Sequence, residues 1–305
     1  MPTSCFPNGL ANCPRYFTKL LKPVYAHLRA QGFLSAAFID DCYLQGQTYE
    51  ECKQNAEASV QIFERLEFVI HRDKSVLEPT KEITYLGFVL NSEDITVTLY
   101  EGKQIKIKTA CLSLPREKSC TIRKLAQVIG TLVAAFPAVR QGPLYYRDLD
   151  KLKTTALKKS WGNFEATVHL SEAAERELDW WIANVSSSCF PLDVGQPTVE
   201  IKTGAKSTCG WGAVCNSSQT GGRWNSEEKQ RHINVLEMLA IEYVLKSFKK
   251  EVSGMHVKLL CDNTCAVSYI RNMGGSKSAE CNEIAHKIWV WCLERQMWLT
   301  ISHIP

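Results

Sequence analysis

Ala36-Ala37-Phe38-Ile39-Asp40-Asp41-Cys42-Tyr43-Leu44 sets two adjacent carboxylates between two apolar stretches. Arms of this length around a polar pair read as a β-hairpin with Asp, a favoured turn residue, at its crest. Adjacent carboxylates repel, so they are easiest to keep where a divalent cation will sit. On these residues alone a solvated turn is the plainer account, and the flanking segments have to decide.

Upstream, Asn12 is placed to cap a helix with Pro14 in its first turn. Phe17, Leu20, Leu21, Val24 and Leu28 follow at helical spacing until Gly32, with a kink expected at Pro23. Downstream, Thr48 and Glu51 form a T-x-x-E capping box, and Cys52, Ala56, Val60 and Phe63 line one face of a second helix. Strands are expected at Phe68–His71 and Ile83–Leu90. A hairpin and strands backed by two helices make an α+β layer.

From 91 to 184 the pattern turns helical and basic. Thr121 is placed to cap a helix with Ile122, Leu125, Val128, Ile129 and Leu132 on one side, and a later helix runs through Glu175 and Leu178 to Trp180-Trp181. Lysines at 103, 106, 108, 151, 153, 158 and 159 form either a solvated face or a groove that neutralises phosphates. Ser188–Gly195 reads as a linker. Beyond it the order is βββαβααβ: strands at Thr198–Thr203, Trp211–Asn216 and Gly222–Asn225, a helix at Asn234–Phe248, a strand at His256–Cys261, two helical stretches and a strand at Met297–His303.

The chain's 305 residues are enough for two or three domains with real cores. A formal charge of +4 is compatible with nucleic acid without requiring it. The cysteines number thirteen, an odd count, show no repeated C-x-x-C pairing, and follow no signal-like N-terminus. They read as reduced thiols, and the location as intracellular, with cytoplasm and nucleus both open. Cys261 with Cys265, and Cys209 with Cys215, come nearest to metal spacing but lack partner histidines, so they read as small buried side chains. The longest apolar run, Val128–Val139, contains Gly130 and Pro137 and falls short of the ~20 residues of a membrane span; no membrane partner is expected.

Three blocks flank the aspartate pair in order: Phe6-Pro7-Asn8-Gly9-Leu10-Ala11-Asn12-Cys13-Pro14-Arg15-Tyr16-Phe17, then Phe68-Val69-Ile70-His71-Arg72-Asp73-Lys74-Ser75, then Tyr85-Leu86-Gly87-Phe88. This succession resembles the palm of a reverse transcriptase, from the Pro-x-Gly-Leu block to the primer grip. Further on, Gly210-Trp211-Gly212-Ala213-Val214, Asn234-Val235-Leu236-Glu237 and Cys261-Asp262-Asn263-Thr264 resemble the ribonuclease H domain that follows reverse transcriptase in retroelements. Asn8–Asn12, Phe17–Leu21 and Met273-Gly274-Gly275-Ser276-Lys277-Ser278 are most similar to DIRS-like retroelements. The resemblance implies an α+β multidomain chain with three parts: a partial right-hand polymerase palm over 1–92, a helical thumb and connection with linker over 93–195, and a ribonuclease H-like α/β domain over 196–305.

It also implies roles. Asp40 would be the main ligand and Asp41 an assisting ligand for two Mg2+ (or Mn2+) ions that align a primer hydroxyl and deoxynucleotide phosphates for in-line displacement. The backbone around Gly9 would approach the template–nucleotide pair, Phe17 would be a substrate-binding residue, Lys74 would be an acid at the departing pyrophosphate, and Leu86, Gly87 and Phe88 would hold the primer end. Without the resemblance, Leu86-Gly87-Phe88 is a strand with a glycine bulge. Glu237 and Asp262 match two of the four ribonuclease H metal ligands, although each has a plainer reading in a helix cap. Partners would be an RNA template, an RNA–DNA hybrid and deoxynucleotides.

The chain departs from the pattern in three places. No acidic residue precedes Gly9, where the family has its first polymerase aspartate; Gly204 stands where ribonuclease H has the aspartate of Thr-Asp-Ala-Ser; and Glu67 replaces a usual glycine. Glu200, four residues from Gly204 on one strand face, lies ~13 Å away and cannot substitute. The fourth ligand would lie beyond Pro305, and His303 is no safe replacement. The expectation is a reverse transcriptase–ribonuclease H segment that is truncated and inactive. The alternatives are a non-catalytic nucleic-acid-binding remnant and an unrelated metal-dependent phosphotransferase.

Overall fold

Pro14 opens the first helix, where its missing N–H costs nothing. Helix α1 (Cys13–Ala30) buries Leu21, Val24, Tyr25 and Leu28, while Leu20 turns outward at 58% exposure. Asn12 precedes it in a helical conformation and its side chain makes no capping bond, contrary to the expectation. The structure, a computed structural model, describes residues 11–115 and 119–304. The chain divides into two units, Met1–Asp94 and Ile95–Pro305.

In the first unit, β1 (Leu34–Phe38) and β2 (Asp41–Gln45) pair as an antiparallel hairpin. Helix α2 (Tyr49–Arg65) starts at the expected box: Thr48 Oγ1 accepts the Glu51 N–H at 3.2 Å. The Glu51 carboxylate reaches back to the Gln47 N–H at 2.9 Å, one residue before the usual partner. A small aromatic core forms where Phe63 meets Phe68 edge-on at 5.6 Å and Tyr25 at 5.7 Å, with Phe17 packed on Phe68 at 6.3 Å.

Phe68–His71 is not a strand. Phe68 is taken up in ending α2, its N–H bonded to the Phe63 carbonyl at 3.0 Å; Val69 is 97% exposed, and the chain passes into a 3-10 turn at Arg72–Lys74. Nor is Ile83–Leu90 one strand. It is a second hairpin, β3 (Glu82–Tyr85) and β4 (Phe88–Asn91), because Leu86 and Gly87 both take positive φ, +51° and +78°. Two successive left-handed residues give the I′ turn whose twist suits a hairpin.

In the second unit, β5 (Thr96–Leu99) pairs antiparallel with β8 (Cys189–Pro191), so the stretch expected as a linker carries a strand. Between them lie α3 (Glu101–Leu112), β6 (Cys120–Thr121), α4 (Ile122–Val133), α5 (Arg147–Lys159), β7 (Thr167–Val168, paired with β6) and α6 (Glu172–Asn184). Thr121 caps α4 as expected, accepting the Lys124 N–H at 3.2 Å, and the five apolar positions of α4 are all buried.

The remaining elements follow the predicted order, with one short helix added. Strands β9 (Val199–Lys206), β10 (Gly210–Cys215) and β11 (Ser218–Arg223) precede α7 (Ile233–Ser247) and the short α8 (Lys249–Val252). Strand β12 (His256–Cys261), helices α9 (Thr264–Arg271) and α10 (Ala279–Leu293), and strand β13 (Trp298–His303) complete the chain. The sheet order is β11-β10-β9-β12-β13, with β12 parallel to β9 and β13 and the other pairs antiparallel. Ile201, Leu236, Ala240, Val257, Leu259 and Trp289 are among its core residues. The helical stretch is tied to this core: Leu144 belongs to it, and Arg147 Nη2 donates to the Asn272 carbonyl at 2.8 Å. Among the described residues no cysteine is in a disulfide and no helix is long and apolar enough to cross a membrane.

Candidate functional site: two carboxylate centres

The first centre is the hairpin crest. Pairing of Phe38 with Asp41 leaves Ile39 and Asp40 as the two-residue turn, and Ile39 takes φ +55°. A β-branched residue in the left-handed region costs roughly 1–2 kcal/mol. That strain sits beside the exposed Asp40 and Asp41.

The hairpin is held from behind by Asn55 of α2, which is buried and was not singled out by the sequence. Its Nδ2 donates to the Leu34 carbonyl at 2.8 Å and to the Gln45 carbonyl at 2.9 Å, clasping the open ends of both strands. The sequence signal is a polar residue on the inward stripe of α2, beside Ala56. The second hairpin braces the first: Tyr85 packs on Tyr43 at 5.7 Å, and its hydroxyl donates to the Ala36 carbonyl at 3.4 Å.

Leu86 and Gly87 are therefore a tight turn and not a bulge, with Phe88 opening the returning strand. Lys74 is exposed in the 3-10 turn, Phe17 lies in the aromatic core of α1, and Gly9 falls outside the described residues. Among the described residues no third acidic, cysteine or histidine group joins Asp40 and Asp41 at metal spacing.

The second centre lies at one end of the β9–β12 pair. His232 caps α7, its Nδ1 accepting the Asn234 N–H at 3.1 Å, so Glu237 is not part of that cap. Asn263, and not Asp262, caps α9 by accepting the Ala266 N–H at 2.9 Å, and its Nδ2 ties to Asn234 Oδ1 at 3.0 Å. Both carboxylates are thus released from the plainer roles the sequence allowed them. Glu237, Asp262 and Cys261 bring one ligand atom each to within 4.8 Å of one another.

Burial, then the neighbouring Asp262 charge, pushes the Glu237 carboxyl up to about 7, against the pull of the Ala205 N–H and the Cys261 thiol. Burial, reinforced by both carboxylates, raises the Cys261 thiol to about 11. Cys261 was expected only as a small buried side chain; its Sγ lies 3.9 Å from Glu237 Oε2.

Gly204 lies in the same place. The parallel register sets Thr203 opposite Cys261, so Gly204 comes beside Asp262, and a Cβ added at Gly204 meets nothing within 4 Å. There is room for a carboxylate and no carboxylate. Glu200 is engaged elsewhere, in an ion pair with Lys258 at 3.1 Å. His303 braces the loop by donating from Nε2 to the Asp262 carbonyl at 2.9 Å. The donor set, two carboxylates and a thiol, suits one divalent ion and falls short of two.

No protein-family model matches the sequence, nor does any curated protein. Solved structures do match. The foamy viral protease-reverse transcriptase dRH in complex with double-stranded DNA aligns at a TM-score of 0.50 and 14% identity, over 96% of this chain and 49% of that one. The foamy viral protease-reverse transcriptase with RNA/DNA hybrid aligns at 0.48 and 15%, over 97% and 39%. LC11-RNase H1, isolated from compost by a metagenomic approach, aligns at 0.30 and 21%, over 36% of this chain and 86% of that one. The chain thus spans about half the length of the first of these, at 49%. At such identities the likeness is one of fold: a mixed α/β fold similar to that of the foamy viral protease-reverse transcriptase.

Proposed function

We propose that this chain is a retroelement-derived protein of the reverse transcriptase–ribonuclease H type that binds RNA–DNA hybrid, and that its ribonuclease H-like centre holds one divalent ion without cleaving. The observation that carries the reading is the convergence of Glu237 and Asp262 beside a vacant Gly204. A carboxylate raised to about 7 by burial and a like charge is what a cation site looks like before its cation. Magnesium or manganese would be held by Glu237 and Asp262, with Cys261 alongside; when bound, it polarises a phosphate oxygen. Lys206, exposed on the strand face of Gly204, opposes a second cation. Removing one electrostatic contributor from an active site costs ~10²–10³ in rate, so one absent ligand is enough for silence.

The test is cleavage of the RNA strand of a hybrid, with magnesium and with manganese, by the parent chain and by Gly204→Asp. The expected result is no cleavage by the parent and tighter manganese binding in the variant. Cleavage by the parent that disappears in Asp262→Asn refutes the reading. Binding to the hybrid should fall steeply with salt, because phosphate contacts dominate it.

The clasped hairpin favours a second reading, RNA-directed DNA synthesis at Asp40 and Asp41 with deoxynucleotides and an RNA template. Extension of a primer that is lost in Asp40→Ala would carry it; the chain alone is expected to give none, having no third carboxylate beside the pair among its described residues. Kinship with DIRS-like retroelements is part of the proposal and rests on the Asn8–Asn12, Phe17–Leu21 and Met273–Ser278 blocks.

A further inference from the structure

Trp161 has no structural reason to be a tryptophan. It follows α5 at the position where a helix ends in the left-handed conformation: φ is +54°, its N–H bonds the Lys158 carbonyl at 3.4 Å, and the Gly162 N–H bonds the Leu157 carbonyl at 2.8 Å. Glycine is the residue that this motif prefers, and a side chain there costs roughly 1–2 kcal/mol. The indole recovers nothing by packing, being 97% exposed. Every other tryptophan of the chain is buried or half-buried; Trp180, for example, stacks on Tyr145 at 4.0 Å.

The surroundings are basic. Lys158 and Lys159 end α5 and are exposed, and the loop after Trp161 is fastened to the start of α4 by the Arg123 N–H to Phe164 carbonyl bond at 2.9 Å. That brings exposed Arg123 and Lys124 to the same loop, with Arg123 5.7 Å from the centre of the Phe164 ring. Glu165 is the one acid on the loop from Ser160 to Ala166, and it is spent in an ion pair with Arg123 at 2.5 Å. The lysines have a plain account in the helix dipole; the indole has none. A solvent-facing aromatic on a hydrogen-bonded turn beside exposed lysines is the arrangement on which nucleic-acid bases stack while phosphates are neutralised alongside.

We propose that Trp161 is a stacking platform for a base of single-stranded nucleic acid, with Lys158 and Lys159 contacting the flanking phosphates. The proposal rests on the nucleic-acid binding proposed above and adds a site remote in sequence from both carboxylate centres.

The experiment measures binding of a labelled single-stranded DNA of about 20 nucleotides, and of an RNA–DNA hybrid, to the full chain over a series of salt concentrations. The variants are Trp161→Gly, Trp161→Phe and the double substitution Lys158→Ala with Lys159→Ala. Trp161→Gly suits the backbone better than the parent residue, so its folding is not in question. It should weaken single-strand binding by about 5- to 150-fold with an unchanged salt slope. Trp161→Phe should retain most of the affinity, and the double lysine variant should lower the salt slope by about 1.4. Single-strand affinity equal to the parent's in Trp161→Gly overturns the stacking site while leaving hybrid binding standing. No binding of either nucleic acid by the parent sinks the broader reading with it. A shift in sedimentation from dimer to monomer in Trp161→Gly, without loss of nucleic-acid affinity, would make the indole a protein interface and overturn the proposal.

Discussion

Glu177 offers the sharpest test of how the second unit is held together. Helix α5 begins without a capping side chain of its own, since Tyr146 makes no such bond. The cap comes instead from α6: the Glu177 carboxylate accepts the N–H groups of Asp148 at 3.0 Å and Leu149 at 2.9 Å. Glu177 is buried, and burial pushes its carboxyl up to about 7, against those N–H groups and with the Asp148 charge adding to the rise. A folded-state value above the unfolded one means that the neutral form is favoured by folding. The corresponding stability is fully present below about pH 4.5 and is lost as pH rises through 7. Set against an ordinary value of 4.5, a carboxyl at about 7 corresponds to about 3 kcal/mol.

Glu177→Gln removes the titration and turns an amide NH2 toward one of the two N–H donors, which should cost about 1–3 kcal/mol at pH 5. At pH 8 the parent has lost its own advantage, and the two proteins should be equally stable or reversed in order. The assay is urea unfolding followed by tryptophan fluorescence. It reports the second unit alone, because all eight tryptophans lie between Trp161 and Trp298. Glu237 titrates near the same pH in both proteins and cancels in the difference. A stability difference that is the same at pH 5 and pH 8 would refute the account of Glu177.

Asn55→Leu should unlatch the first hairpin, leaving the Leu34 and Gln45 carbonyls without their donor; a local loss of about 2 kcal/mol would speed hydrogen exchange of the β1–β2 amides by about 30-fold. Glu67→Gly should stabilise the end of α2 by about 0.5–1 kcal/mol, the relief of a left-handed side chain at φ +61° exceeding the entropy glycine adds to the unfolded chain. Slower exchange of the last-turn amides of α2 would show it, and faster exchange would count against it.

The elements most legible in the sequence are those written in local chemistry. Thr48 and Thr121 announce their helices, and the apolar stripe of α4 is buried as its spacing demands. The βββαβααβ order emerges almost unaltered, because most strands there are runs of alternating or continuous apolar residues with a clear stop; the exception is β11, whose Ser218–Arg223 has no apolar run, was expected at Gly222–Asn225 and is set in place by pairing along β10. What the sequence hides is whatever depends on a distant partner. Phe68–His71 has the composition of a strand but pairs with no neighbour among the described residues, while Cys189–Pro191 looks like a linker and is drawn into a strand by β5. Asn55 and Glu177 are the same case in polar form: each serves backbone groups at least ten residues away, and nothing near them in the chain says so. The candidate site divides along the same line. Glu237, Asp262 and the vacancy at Gly204 are visible as motif positions, but that His232 and Asn263 do the capping, and so leave the carboxylates free, is visible only in the fold.

Glu67 and Trp161 occupy the same position of the same helix-ending motif, and comparing them separates strain from use. In each, the residue's own N–H reaches back to the carbonyl three residues earlier, and the following N–H reaches the carbonyl five residues before it. Both take φ close to the glycine-preferring region, +61° and +54°. Their backbones therefore penalise a side chain about equally, and glycine should relieve both by a similar amount. The two differ in what the side chain faces. Glu67 presents a charge that water solvates, whereas Trp161 presents a large apolar ring that water does not favour. Exchanging Glu67 for glycine should stabilise its unit and change no binding property, while the same exchange at Trp161 should stabilise its unit at the cost of single-strand affinity. If both substitutions prove equally silent in binding, the exposed indole is an accident of surface composition, and the strain at the end of α5 has no functional counterpart.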